Sequence, residues 1–198
     1  MKKKIIFVLL AFFIGVGIFT VIPREKTITV QGSVGVKTFN EIIKDSELIV
    51  SGAIVDNLEP MWSNPGYKKG ENIANILTTD AVVNINQIYK GNPYNKNEIK
   101  VRVHGGNDKN SSTKYVSNGY PKFYKGENVI LFLAKDDSDI EYDDNDYYVL
   151  VGMLQGKFTE HESKDGNKLY KSAAEWIKEE IDLTTFEDHI KNVLEAQN

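Results

Sequence analysis

The chain has 198 residues, 24 basic and 28 acidic side chains, a net charge of −4 and no cysteine. That length fits one domain plus an appendage, and the acidic balance argues against nucleic acid as a partner. The missing cysteine excludes disulfide staples, thiolate zinc sites and a lipidated N-terminus, and it suits a Gram-positive surface protein better than a eukaryotic secreted one.

The appendage stands first. Lys2, Lys3 and Lys4 precede Ile5 to Ile22, eighteen residues without a charge, and Pro23-Arg24-Glu25-Lys26 comes next. A basic flank before an apolar run is a secretory pattern. The run exceeds the roughly 7–15 residues of a signal core and meets the roughly 17–25 of a spanning helix. No small-x-small cleavage site lies just beyond it. Residues 1–23 are therefore expected to be a transmembrane helix acting as a signal anchor, with a cleaved signal peptide as the alternative. The lysines hold the N-terminus inside, so everything after residue 23 is expected outside, on a single-pass membrane protein or secreted after cleavage. With those three lysines set aside, the exported part carries about −7.

Residues 24–37 alternate weakly and hold Gly32 and Gly35, which predicts a linker able to add an edge strand. The domain is expected over 38–198. Thr38 and Glu41 have the spacing of a capping box, ahead of a short helix with Phe39, Ile42 and Ile43 on one face. Glu47 to Leu58 is a strand, with Gly52 placed where it must bend or bulge. Residues 59–76 form a long loop. Leu77 to Gly91 is the longest strand, rich in Val, Ile, Thr and Tyr, and its length predicts a bent central strand with partners on both sides.

Glu98 to His104 alternates without a break, which sends Ile99, Val101 and Val103 inward and Lys100, Arg102 and His104 outward. Gly105-Gly106 opens a second polar loop reaching Phe123. Val129 to Ala134 is apolar on both faces and is expected to be covered on each side. An acidic loop, 136–146, leads to Tyr147–Val151 and then to Met153–Thr159, with a hairpin turn at Lys164-Asp-Gly-Asn167. A helical turn is expected within 173–181. Thr184 and Glu187 predict a second capping box, with Phe186, Ile190, Val193 and Leu194 facing the core.

Five of these segments, in this order, resemble bacterial exported proteins related to the netrin-like module of the tissue inhibitors of metalloproteinases. They are Ser46–Val55, Thr79–Gly91, Val101–Gly106, Pro121–Leu133 and Tyr148–Phe158. The resemblance covers about residues 38 to 196 and implies a mainly β fold, a five-stranded OB-like antiparallel barrel with flanking short helices. It does not carry inhibition over, because the animal inhibitors use an N-terminal cysteine to chelate the protease zinc.

No catalytic constellation is present: Ser111 and Ser112 lack a nucleophile elbow, and His104, His161 and His189 are scattered without metal-ligand spacing. No catalytic residue, metal or cofactor is expected. Seven carboxylates crowd the acidic loop, Asp136, Asp137, Asp139, Glu141, Asp143, Asp144 and Asp146. Their type suits weak calcium binding but their spacing does not, and a solvated charge run explains them. The binding candidates are aromatics on the two long loops, Trp62, Tyr67, Tyr115 and Tyr120, since exposed aromatics anchor interfaces. Phe123, directly before an apolar strand, is expected to fold into the core, and Trp62 is open to either role. The expected function is a membrane-anchored extracytoplasmic binding or adaptor module for a protein, peptide or cell-wall component. An inhibitor or regulator of an extracellular protease is the alternative.

Overall fold

The computed structural model describes residues 25–68, 70, 75–138, 140 and 146–196. The expected membrane segment, 1–23, lies outside these residues, as do Asp139, Glu141, Asp143 and Asp144 of the acidic loop. Among the described residues no helix is long and apolar enough to cross a membrane.

The fold is mainly β. In chain order it runs β1 (Lys26–Val30), α1 (Phe39–Asp45), β2 (Leu48–Asn57), β3 (Met61–Trp62), β4 (Leu77–Lys90), β5 (Glu98–His104), β6 (Gly106–Asp108) and β7 (Thr113–Ser117). It continues with β8 (Asn128–Ala134), β9 (Val149–Leu150), a 3-10 turn (Met153–Gly156), β10 (Lys157–Glu162), β11 (Lys168–Ser172), β12 (Glu180–Ile181) and α2 (Leu183–Glu195). The large sheet has the order β12-β11-β10-β8-β2-β4-β3, with β5 on β4 and β9 on β8, and a separate small sheet has the order β1-β7-β6.

The long strand β4 is shared as its sequence predicts: Ala81 to Lys90 pairs with β2, and Thr78 to Asn84 pairs with β5. Register shifts beside Val50, Gly52 and Asp56 bend β2 around it. At Gly52 a Cβ would run into the Asn84 carbonyl, so the bend needs a residue without one. The expected closed five-stranded barrel is not formed; the sheets are open. Among the described residues β5 meets the segment leading into β9 through an isolated parallel bridge between Val101 and Tyr148. The reason is local: left-handed Gly152 (φ +64) and Met153 (φ +57) turn the chain into the 3-10 segment, which leaves β9 two residues long.

β8 is covered on both faces as expected. Ile130 and Phe132 point to a core under the helices, shared with Phe39, Phe158 and Phe186, while Val129, Leu131 and Leu133 point to a second core with Val50, Val83 and Val101. Phe39 and Phe132 meet edge to face at 5.7 Å. Thr38 and Glu41 close the predicted capping box on α1. At α2 the cap is Asp182 instead of Thr184, its carboxylate accepting from the Thr184 amide at 2.9 Å. The carboxylate reaches the orphan amide from one position outside the helix, so Thr184 lies within the first turn. The helical turn expected within 173–181 is reduced to a single hydrogen-bonded turn, the Ile177 amide donating to the Ala174 carbonyl at 3.1 Å, before the chain enters β12, with Ile177 buried and Trp176 exposed.

Three further features matter for function. The 24–37 segment adds an edge strand, as its sequence allows: β1 pairs in parallel with β7, and Gln155 holds residues 35 and 37. The loops 59–76 and 106–124 contain strands, β3 and the β6–β7 hairpin, too short to show a period in sequence. Arg102, expected in water, is 2% exposed. Its guanidinium makes a bidentate pair with Asp80, Nε to Oδ1 at 2.6 Å and Nη2 to Oδ2 at 2.7 Å, beneath the Tyr147 ring at 3.7 Å. The Val101–Tyr148 bridge is what lays Tyr147 over that face of β5.

Candidate functional site

Between the end of β5, the β6–β7 hairpin and residues 120–124 lies a cleft of about 280 Å³ with a mainly apolar lining. Gly105 (φ +134) turns the chain from β5 into β6, its carbonyl accepting from Thr79 Oγ1 at 2.7 Å. A Cβ on Gly106 would stand 2.8 Å from Pro60 and Thr79, so only glycine lets the hairpin lie this close to β4.

One wall is β7, which presents Tyr115. This ring is buried, and burial pushes its hydroxyl above the ordinary tyrosine range. Trp62 meets Tyr115 edge to face with centroids 6.3 Å apart. Its indole N–H donates to Asp108 Oδ2 at 2.9 Å, and Ser111 Oγ donates to the same oxygen at 2.5 Å. Those two bonds, Ser111 first, hold the Asp108 carboxyl below its usual range. Trp62 is thus a half-buried brace between β3 and the hairpin, neither a free anchor nor a lid over a core.

The opposite wall is Tyr120 to Tyr124. The Tyr120 ring lies against His104 at 4.4 Å, and burial lowers the His104 pKa below its ordinary value, with Asp136 opposing. Phe123 is 7% exposed and belongs to the second core, as expected from its place before β8. Lys157, 3% exposed, secures this wall: its ammonium lies 4.6 Å from the Phe123 ring, 2.6 Å from the Lys122 carbonyl and 2.7 Å from Glu127 Oε2. Burial lowers its pKa, against the Glu127 carboxylate.

Of the four aromatics singled out from sequence, Tyr115 and Tyr120 line this cleft and Trp62 braces Tyr115 from behind. Tyr67 does not line it; it is exposed, with its hydroxyl 3.5 Å from the Gly70 amide. The sequence reading missed the exposed Tyr124 and the two lysines, Lys114 and Lys122, at the rim. The run Lys122-Phe-Tyr124 carried that signal, since a buried ring between two polar ends must expose its neighbours on a strand-like segment.

Among the described residues no group of three His, Asp or Glu could hold a metal. The described part of the acidic loop is tied down by hydrogen bonds: Asp136 accepts from the Tyr147 hydroxyl at 2.7 Å and from the Ser138 amide at 3.0 Å. Burial raises its pKa, but these bonds outweigh that and leave it below the ordinary range. No protein-family model matches the chain, and no curated protein matches it.

Proposed function

We propose that this chain is a membrane-anchored extracytoplasmic binding module of the netrin-like, OB-related kind, and that its cleft beside Tyr115 and Tyr120 receives an apolar or aromatic group of an extracellular protein, peptide or cell-wall component. The observation supporting this is the cleft itself: about 280 Å³, apolar within, edged by the phenols of Tyr115, Tyr120 and Tyr124 and by Lys114 and Lys122. Ligand sites take this form, concave and largely apolar with a few polar groups that fix orientation. The lysines favour a partner with a carboxylate or other anionic group beside its apolar part, and they offset locally the negative charge of the chain.

Capture from intact cell envelopes tests the reading. Tyr120→Ala empties one wall; because the ring also packs on the rim of the second core, capture is compared at equal folded concentration, and it should fall by tenfold or more, the scale of an aromatic anchor worth roughly 2 kcal/mol. Equal capture by the wild type and Tyr120→Ala would remove the cleft as the site. A chain that cuts the activity of a co-incubated secreted protease would instead favour the regulatory alternative.

A further inference from the structure

β1 fills the edge of β7 without fully burying any of its own side chains. Of its five residues only Ile28 is even half-buried, and Lys26, Thr27, Thr29 and Val30 are exposed. It is held by main-chain pairing, Lys26 opposite Thr113 through to Val30 opposite Ser117. The ladder is closed at its ends by the Lys26 amide to the Ser112 carbonyl at 2.9 Å and the Asn118 amide to the Val30 carbonyl at 3.2 Å. A strand with no fully buried side chain opens at lower cost than one that feeds a core.

The segment between β1 and α1 is held differently. Gln155 is wholly buried, and its amide reads the backbone of that segment as a neighbouring strand would. Its Oε1 accepts from the Lys37 amide at 2.7 Å, and its Nε2 donates to the Gly35 carbonyl at 3.0 Å. Between this clamp and β1 lie Gln31, Gly32, Ser33 and Val34, with nothing within 4 Å of the place a Cβ would occupy at Gly32. The root of the arm is fixed, its tip is held mainly by backbone bonds, and a short hinge with open space at Gly32 joins them.

We propose that β7 is a strand-acceptor edge filled by β1 of a second copy of this chain, two chains exchanging Lys26–Val30 reciprocally. The fit names the occupant: the segment that matches this edge in register is one that every copy carries. Exchange remakes in trans the same pairs that are lost in cis, so its cost is the hinge movement and the association itself. It also leaves no unpaired β7 edge exposed to unrelated strands. The exchanged strand would lie beside Tyr115 and Val116, linking dimer formation to the cleft.

The chain has no cysteine, so introduced thiols report cleanly. Thr27 and Lys114 are register partners and both are exposed. Full-length Thr27→Cys and Lys114→Cys chains, purified separately in detergent, mixed and oxidised, should give a mixed disulfide dimer severalfold above that from Thr27→Cys with Lys164→Cys, whose thiol lies on the β10–β11 turn. The double variant Thr27→Cys/Lys114→Cys establishes the register by closing within one chain at high dilution. If the double variant closes while the mixture gives only the control level, β1 belongs to its own chain and the proposal fails. Deleting Gly32 to Val34 removes about 10 Å of reach, which hinders pairing within one chain, and should raise the dimer fraction in sizing experiments. A deletion variant that stays monomeric also counts against exchange.

Discussion

The two sheets of this protein are built on opposite terms. In the large sheet β8 buries five consecutive residues, Val129 to Leu133, and feeds two cores at once. In the small sheet β1 exposes four of its five residues, and the pairing is carried by the backbone. Side-chain packing is what makes a structure unique and costly to rearrange. Backbone pairing is generic, since any extended chain offers the same donors and acceptors. The large sheet is therefore the scaffold, and the small sheet, with the cleft beside it, is where exchange with other molecules costs least.

The contrast between the sheets is tested hardest at the polar group buried in the large one. Asp80→Ala leaves the Arg102 guanidinium in the interior without the carboxylate that it grips with two nitrogens. The expected loss is roughly 3–5 kcal/mol in denaturant unfolding, the range for breaking a buried pair. Replacing both partners, Asp80→Val with Arg102→Leu, should recover most of that loss, because the desolvation cost of both charges goes with them. A double variant as unstable as the single one would mean that the pair contributes specificity that apolar packing cannot supply.

Legibility in the sequence divides along the same line. The α1 capping box, the bend at Gly52 and the double covering of β8 were all readable, because each depends on residues close in the chain. The alternation of β5 correctly sent Val101 inward, yet it gave the wrong environment for Arg102. Alternation says which face a residue occupies and nothing about what later chain covers that face, here Tyr147. A signal was present: Asp80 stands in the middle of the strand opposite Arg102, where aspartate is disfavoured. Two complementary charges in facing strands suggest a pair. The cleft was half legible, since Tyr115 and Tyr120 line it and Tyr67 does not. Barrel closure was not, because it depended on a β9 cut short by two left-handed residues.

An intermediate effect is expected where the two regions meet, at His104. Burial lowers its pKa from the ordinary 6.5, so as the pH falls below that value the unfolded chain takes up a proton before the folded one does. Stability is full above the unfolded pKa and is lost as the pH drops toward the folded one. Asp136, held below the ordinary carboxylate value of 3.8, titrates at lower pH and leaves this window undisturbed. Thermal unfolding between pH 7.5 and 5 should therefore show a steeper loss for the wild type than for His104→Gln. Parallel profiles would mean that the Tyr120 contact holds His104 equally well in both protonation states.

The smallest effect should come from placing one substitution in both sheets. Proline removes a ladder donor and clashes with its neighbours, and it is tolerated only at edges. In β8, where Ile130 pairs with Ser51 on one side and Phe158 on the other, Ile130→Pro should cost about 3 kcal/mol or more and leave little folded protein. In β1, where Ile28 pairs with Tyr115 and, among the described residues, with no second strand, Ile28→Pro should detach the strand and little else. With no fully buried side chain lost, the cost should stay under about 1 kcal/mol, a melting shift of about 2–4 °C for a chain of this size. The Gln155 clamp lies beyond the hinge and keeps residues 35–37 in place, so loss of pairing should stop there. If Ile28→Pro instead lowers the melting temperature as far as Ile130→Pro does, the small sheet is part of the scaffold. A strand that the fold requires could not then be exchanged cheaply between copies.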